Sequence, residues 1–261
     1  MTHCTRLLFA AALALVALRA DAQGIASAAF ETPVDRYGHF ALGRPHEYAR
    51  VMALTDTGHR LVFELADHEV FEDLTPRVVT LVAGEPAEIL AIVSSRAGGA
   101  RMVLLRSNGA RLEISAQSEP IGTPMRWLNP VAVADLDGDG RAEVAAVITP
   151  HLGGTLKVYR RQGAQLLEVA ALGGFSNHQY GTPELALSGP FPVGGSTRLL
   201  VPDTTRLQLR IVGLENGRLV EVGRCALDSP VTGAIRVVSA TEVSLGLRAG
   251  RRVMAPDRCA R

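Results

Sequence analysis

The sequence predicts an all-β protein and, within that class, a β-propeller of five blades whose ring is closed by an N-terminal strand. Three observations predict it. First, apolar residues recur at every second position, as in Val131 and Val133, Leu207, Leu209 and Ile211, and Val243, Leu245 and Leu247. That alternation turns one face of a strand toward a core, and turn signals at Ser107–Gly109, Arg161–Gly163 and Glu215–Gly217 bound the runs. Second, the chain duplicates itself. AEVAAVITPHLGGTLKVYRRQGAQLLEVAA from Ala142 lies without a gap over AEILAIVSSRAGGARMVLLRSNGARLEISA from Ala87, which pairs Glu143 with Glu88, Gly153-Gly154 with Gly98-Gly99, Arg161 with Arg106 and Glu168 with Glu113. A fainter copy from Thr205 puts Glu221 in the place of Glu168. Third, a Leu shortly before a Pro marks the unit starts: Leu42 and Pro45, Leu74 and Pro76, Leu128 and Pro130, Leu187 and Pro190, with Ser229-Pro230 as a fifth.

Units of about 30 to 60 residues with three or four strands each are what a propeller blade presents in sequence. The last unit, from Pro230, stops one strand short, while Ile25–Phe40 resembles the tail of the unit that runs on from Leu167. A strand from that N-terminal stretch would complete the last blade and hide two sheet edges. A pair of β-sandwiches is the competing architecture.

Residues 1–22 read as a secretory signal peptide, with Arg6 ahead of the apolar run Leu7–Leu18 and small residues at Ala20 and Ala22. The run is shorter than the roughly 20 residues a membrane helix needs, and later apolar stretches are interrupted within a few residues. The expectation is therefore a single domain over 23–261, periplasmic or secreted, without a membrane span. Without the leader, the chain carries as many acidic as basic residues and has no basic stripe, which argues against a nucleic-acid partner. Cys225 and Cys259 form an even pair in an oxidising compartment, which predicts a disulfide; two separate thiols are the other reading.

One turn carries sharp chemistry. In DLDGDGRAE, Asp135, Asp137 and Asp139 alternate, Gly138 and Gly140 let the backbone fold tightly, and Glu143 follows. Calcium takes six to eight oxygens, and this turn offers four carboxylates and the Arg141 backbone carbonyl. Carboxylates packed so closely repel one another without a cation, although a solvated turn of aspartates is the blander reading. An EF-hand needs Glu at its twelfth position, which is Ala146 here, and helices where this chain has strand patterns.

At VAVADLDGDGRAEVAAV the chain resembles the FG-GAP and VCBS-type repeat family, which includes the integrin α-subunit propeller. The resemblance implies a propeller with a calcium loop between two blade strands, and by position it assigns ligand roles to Asp135, Asp137, Asp139, the Arg141 carbonyl and Glu143. The equivalent turns at Val82–Glu88 and Ala53–Arg60 lack the carboxylates, so one calcium ion in a structural role is expected.

Other candidates are weaker. GGFSNHQYG, from Gly173 to Gly181, reads first as a polar surface loop, with a ligand pocket around His178, Asn177 and Tyr180 as the sharper alternative. His39, His46, His59 and His68 are dense but lack metal-site spacing. DTG at Asp56–Gly58 has no second copy to make a protease pair. No nucleophile elbow exists, and the repeated Glu88, Glu113, Glu143, Glu168 and Glu221 look like per-unit structural residues. The functional expectation is a non-catalytic module for a protein or glycan ligand; the alternative is a hydrolase or lyase acting on an extracellular polysaccharide.

Overall fold

In a computed structural model, described over residues 23–259, the protein is all-β. The leader expected at 1–22 lies outside the described residues. Strands β1 (Ile25–Pro33), β2 (Tyr48–Thr55) and β3 (Arg60–Glu64) form a first antiparallel group. A second comprises β4 (Glu69–Phe71), β5 (Arg77–Val79), β6 (Glu88–Ser95), β7 (Gly99–Ser107) and β8 (Leu112–Gln117), with β4 and β5 sharing one edge of β6. A third is the meander β9 (Leu128–Ala134), β10 (Glu143–Ile148), β11 (Gly154–Gln162) and β12 (Gln165–Phe175). Single bridges, Tyr48 to Phe71 and Gln117 to Gln165, join these groups into one 12-stranded sheet. Two separate sheets follow: β13 (Gly189–Val193), β14 (Ser196–Pro202), β15 (Gln208–Glu215) and β16 (Arg218–Ala226), then β17 (Val231–Val237), β18 (Val243–Leu247) and β19 (Gly250–Met254).

The groups stack in chain order, because their middle strands are apolar on both faces. On β10, Val144, Ala146 and Ile148 enter the core shared with the second group, whereas Ala145 and Val147 enter the core shared with β13–β16. Leu90 and Ile92 of β6 likewise face the third group, while Ile89, Ala91 and Val93 face the first. A strand buried on both sides reads as a continuous apolar run, which is the pattern of AEVAAVI. On β15 plain alternation divides the faces: Leu209 and Ile211 serve the core against β17–β19, and Val212 and Leu214 the one against the third group.

The sequence duplication is a duplication of structure. Strands β7 and β11 begin at Gly99 and Gly154, which the alignment pairs. Gly99 must be glycine, since φ is +72° and a Cβ there would collide with the Thr123 carbonyl oxygen. Pro130 and Pro190 stand within, and Pro230 just ahead of, the first strand of a group, whereas Pro76 stands just ahead of β5, the second strand of its group. Leu42 and Pro45 instead occupy the β1–β2 connection, where Leu42 is buried in the core between the second and third groups.

One expectation is overturned. The N-terminal strand does not complete the last sheet: β1 pairs with β2 from Ile25 to Pro33, and β17–β19 remains three-stranded. The cause is local burial. Phe30 stacks on Tyr48 and Phe71, and Ile25 enters the core between the first and second groups. Apolar partners for β1 are thus available on β2 and β4.

Cys225 on β16 and Cys259 beyond β19 form a disulfide, with Cα atoms 5.0 Å apart and a sequence separation of 34. Closing a loop of that length stabilises by about 4 kcal/mol through the unfolded chain. The double variant C225S/C259S should lower the urea unfolding free energy by about that amount; a loss under 1 kcal/mol would assign the bridge no stabilising role.

Candidate functional site

The acidic turn connects β9 to β10 at one end of the third group. Gly138 and Gly140, both left-handed at φ +84° and +86°, curl the backbone so that their N–H groups donate to Asp135 Oδ1 and Oδ2 at 2.7 and 3.0 Å. The Asp139 and Arg141 N–H groups donate to Asp137 Oδ1 and Asp139 Oδ1 at 3.2 and 2.8 Å. Oxygens of Asp135, Asp137 and Glu143 lie within 4.8 Å of one another, an all-oxygen set that could hold a hard metal ion. Asp139 stands outside that triple. Arg141 forms a bridge with Val82, which ties the turn to the equivalent turn of the second group.

Glu143 is fully buried, and a protein cation compensates it. Arg160 on β11 reaches its Oε1 through Nε and Nη2 at 3.0 and 2.7 Å and also reaches Asp137 Oδ2 at 2.6 Å, while Leu136 N–H donates to Oε2 at 3.0 Å. The hydrogen bond to Glu143 holds the Arg160 guanidinium above its ordinary pKa, with Asp137 adding to the effect. The other repeated glutamates are paired as well: Glu88 with Arg161, Glu113 with Arg106, Glu168 with Lys157, and Glu221 with Arg210 and Arg224.

At the opposite end of β10, four connections converge on a histidine cluster. His151 Nε2 and His178 Nδ1 are 2.7 Å apart, and His178 Nε2 lies 2.9 Å from the Thr182 carbonyl oxygen. Burial depresses both imidazoles, His151 to about 3 and His178 to about 4; for His151 the neighbouring His178 adds to the effect. Both are therefore neutral at pH 7. A carbonyl only accepts, so His178 carries its proton on Nε2, accepts at Nδ1 from His151 Nε2–H, and leaves His151 Nδ1 as a bare lone pair. Trp127 stacks parallel to His151, and its Nε1–H donates to the Glu72 carbonyl at 2.9 Å.

His39, from the β1–β2 connection, sits beside this pair with Nδ1 2.8 Å from Glu72 Oε1. The Tyr180 hydroxyl donates to the His39 carbonyl at 2.6 Å, and Gly181 N–H donates to the Ala41 carbonyl, so the loops that follow Tyr37-Gly38 and contain Tyr180-Gly181 lie side by side. Between them is a cavity of about 130 Å³ lined by His39, Met125, Arg126, Trp127, Thr149, His151, Leu152 and Tyr180. Met125 and Thr149 hold left-handed backbones at φ +53° and +51°, a strain that proteins concentrate at ligand sites.

No protein-family model matches this sequence, and no curated protein does.

The structure brings together three of the turn's carboxylates, as the spacing implies. It corrects the reading of GGFSNHQYG as a polar surface loop: Ser176, Asn177 and His178 are buried, because Asn177 exchanges hydrogen bonds with Asn129 and His178 pairs with His151. The dense histidines do not converge; His59 and His68 are exposed, and only His39 reaches the cluster. Sequence reasoning passed over His151. Its one signal was divergence between the copies, since His151 stands where the other copy has Arg96.

Proposed function

We propose that the chain is an exported, non-catalytic repeat protein of the FG-GAP/VCBS type, a five-bladed propeller in which one calcium ion stiffens the turn Asp135–Glu143 and loops present a surface to a protein or glycan ligand. The observation that carries this reading is the oxygen-only cluster of Asp135, Asp137 and Glu143 on a hairpin turn between two strands. Support for the propeller comes from five strand groups stacked in chain order with a separate apolar core at each of four junctions. Support for export comes from the leader pattern in residues 1–22 and from the disulfide. No helix among the described residues is long and apolar enough to cross a membrane.

The test is thermal unfolding against calcium. An ion at 100 times its Kd adds about 2.7 kcal/mol, which for a chain of this size raises Tm by roughly 5 to 10 °C. EGTA should reverse the shift, and D135N/D137N should abolish it. A melting temperature indifferent to calcium would remove the ion from the proposal.

The histidine cluster favours the second reading, a polysaccharide hydrolase or lyase, because buried groups with perturbed basicity gather at catalytic sites. The size of the cavity argues against it: about 130 Å³ is well below the roughly 300 Å³ at which organic-ligand pockets begin.

A further inference from the structure

The histidine cavity has two features of an ion site and none of a polymer cleft. Its donors are prepared. His39 is oriented through Nδ1 by the buried Glu72 carboxylate, and His151 through Nε2 by the His178–Thr182 chain. Backing each imidazole with an acceptor that fixes its tautomer is how proteins orient metal-ligating histidines. His39 Nε2 and His151 Nδ1 make no hydrogen bond to the protein among the described residues.

Independently, two buried carboxylates stand behind the cavity. Glu47 and Glu72 are fully buried, and among the described residues neither pairs with Lys or Arg. Glu47 accepts from the N–H groups of Gly38, His39 and Phe40, and Glu72 accepts from the Ser94 hydroxyl and the Ala41 N–H in addition to His39. Buried carboxylates ordinarily face a compensating positive charge. Here both back onto the loop that carries His39; the lining itself has no carboxylate, and its one permanently charged side chain, Arg126, donates through Nη1 to the Met125 carbonyl at 2.9 Å. A hard ion such as calcium therefore lacks oxygen ligands there, whereas imidazole nitrogen with a thioether suits a softer metal.

We propose that this cavity binds a single transition-metal ion, best matched by copper, through His39 Nε2, His151 Nδ1 and the Met125 thioether. The site is separate from the acidic turn, which lies at the other end of β10, and does not depend on it.

The experiment uses the full chain in a His3→Ala, Cys4→Ser background, so that the amino-terminal residues contribute no chelate, and the metals alone as probes. One equivalent of Cu²⁺ should give an electron paramagnetic resonance spectrum split by imidazole nitrogen. Cu⁺ should be retained against a chromogenic chelator, Zn²⁺ should bind more weakly, and Ca²⁺ should not compete. H39Q and H151Q should each weaken copper binding by more than 100-fold, E72Q by about 10- to 100-fold, and M125L should weaken Cu⁺ more than Zn²⁺. D135N/D137N should change nothing. Should H39Q or H151Q fail to fold, the variant H46A/H59A/H68A decides, since it removes histidines outside the cavity: loss of the copper signal there overturns the proposal. So does a spectrum without imidazole nitrogen in the parent chain.

Discussion

Arg160→Ala is expected to cost about 3 kcal/mol in calcium-free buffer and much less at saturating calcium. Glu143 has no exposed surface, and Arg160 supplies its only ionic partner among the described residues. Removing one partner of a buried pair costs about 3–5 kcal/mol because a charge is left uncompensated; the lower end applies, since the Arg160 side chain retains 31% exposure. A calcium ion at Asp135, Asp137 and Glu143 would take over the neutralisation. The reverse change, Glu143→Gln, should be milder, because Arg160 keeps Asp137 and partial solvent. Urea unfolding of both variants in EGTA and in calcium measures the difference. An R160A penalty equally large in both buffers would mean that the guanidinium alone neutralises the turn.

Acid is expected to destabilise the metal-free protein well above the pH at which carboxylates titrate. His151 and His178 are depressed to about 3 and about 4 when folded, whereas an unfolded histidine takes up its proton near 6.5. Well above pH 6.5 neither state is protonated and the full stability is present. As pH falls from 6.5 toward 4, the unfolded chain binds protons that the folded chain refuses, so stability drops with pH. Between pH 7 and 5 the loss is about 2 kcal/mol per histidine, or about 4 kcal/mol together. Glu113 and Glu221, held low by Arg106 and Arg224, lose their contribution only as pH falls below the ordinary carboxylate range, which leaves the window above pH 5 to the histidines. Urea midpoints at pH 7, 6 and 5 should converge for the parent and H151N/H178N as pH falls. A parallel decline in both would move the acid sensitivity to other groups.

These two ends of β10 were unequally legible. The acidic turn is contiguous in sequence, so its alternating carboxylates and glycines could be read directly, and the structure assembles three of them. Its guanidinium partner was not legible: Arg160 arrives from the next strand, and the equivalent position of the other copy is Leu105. The strands themselves announced the all-β fold, because β6 and β10 are buried on both faces and write that fact as unbroken apolar runs. Edge pairing leaves no such mark. The resemblance of Ile25–Phe40 to an internal unit suggested a long-range closure, but Phe30, Tyr48 and Phe71 decide that β1 stays beside β2. The cavity was least visible of all, since His39, Met125, His151 and Tyr180 come from four different connections and no local spacing relates them.

The hydrogen bond from Tyr180 to His39 joins residues 141 positions apart. For a chain made from its N-terminus, that contact is a clock: the cavity cannot exist until the β12–β13 connection has emerged and three strand groups have docked. Whatever occupies the cavity therefore meets a folded protein and never a nascent one.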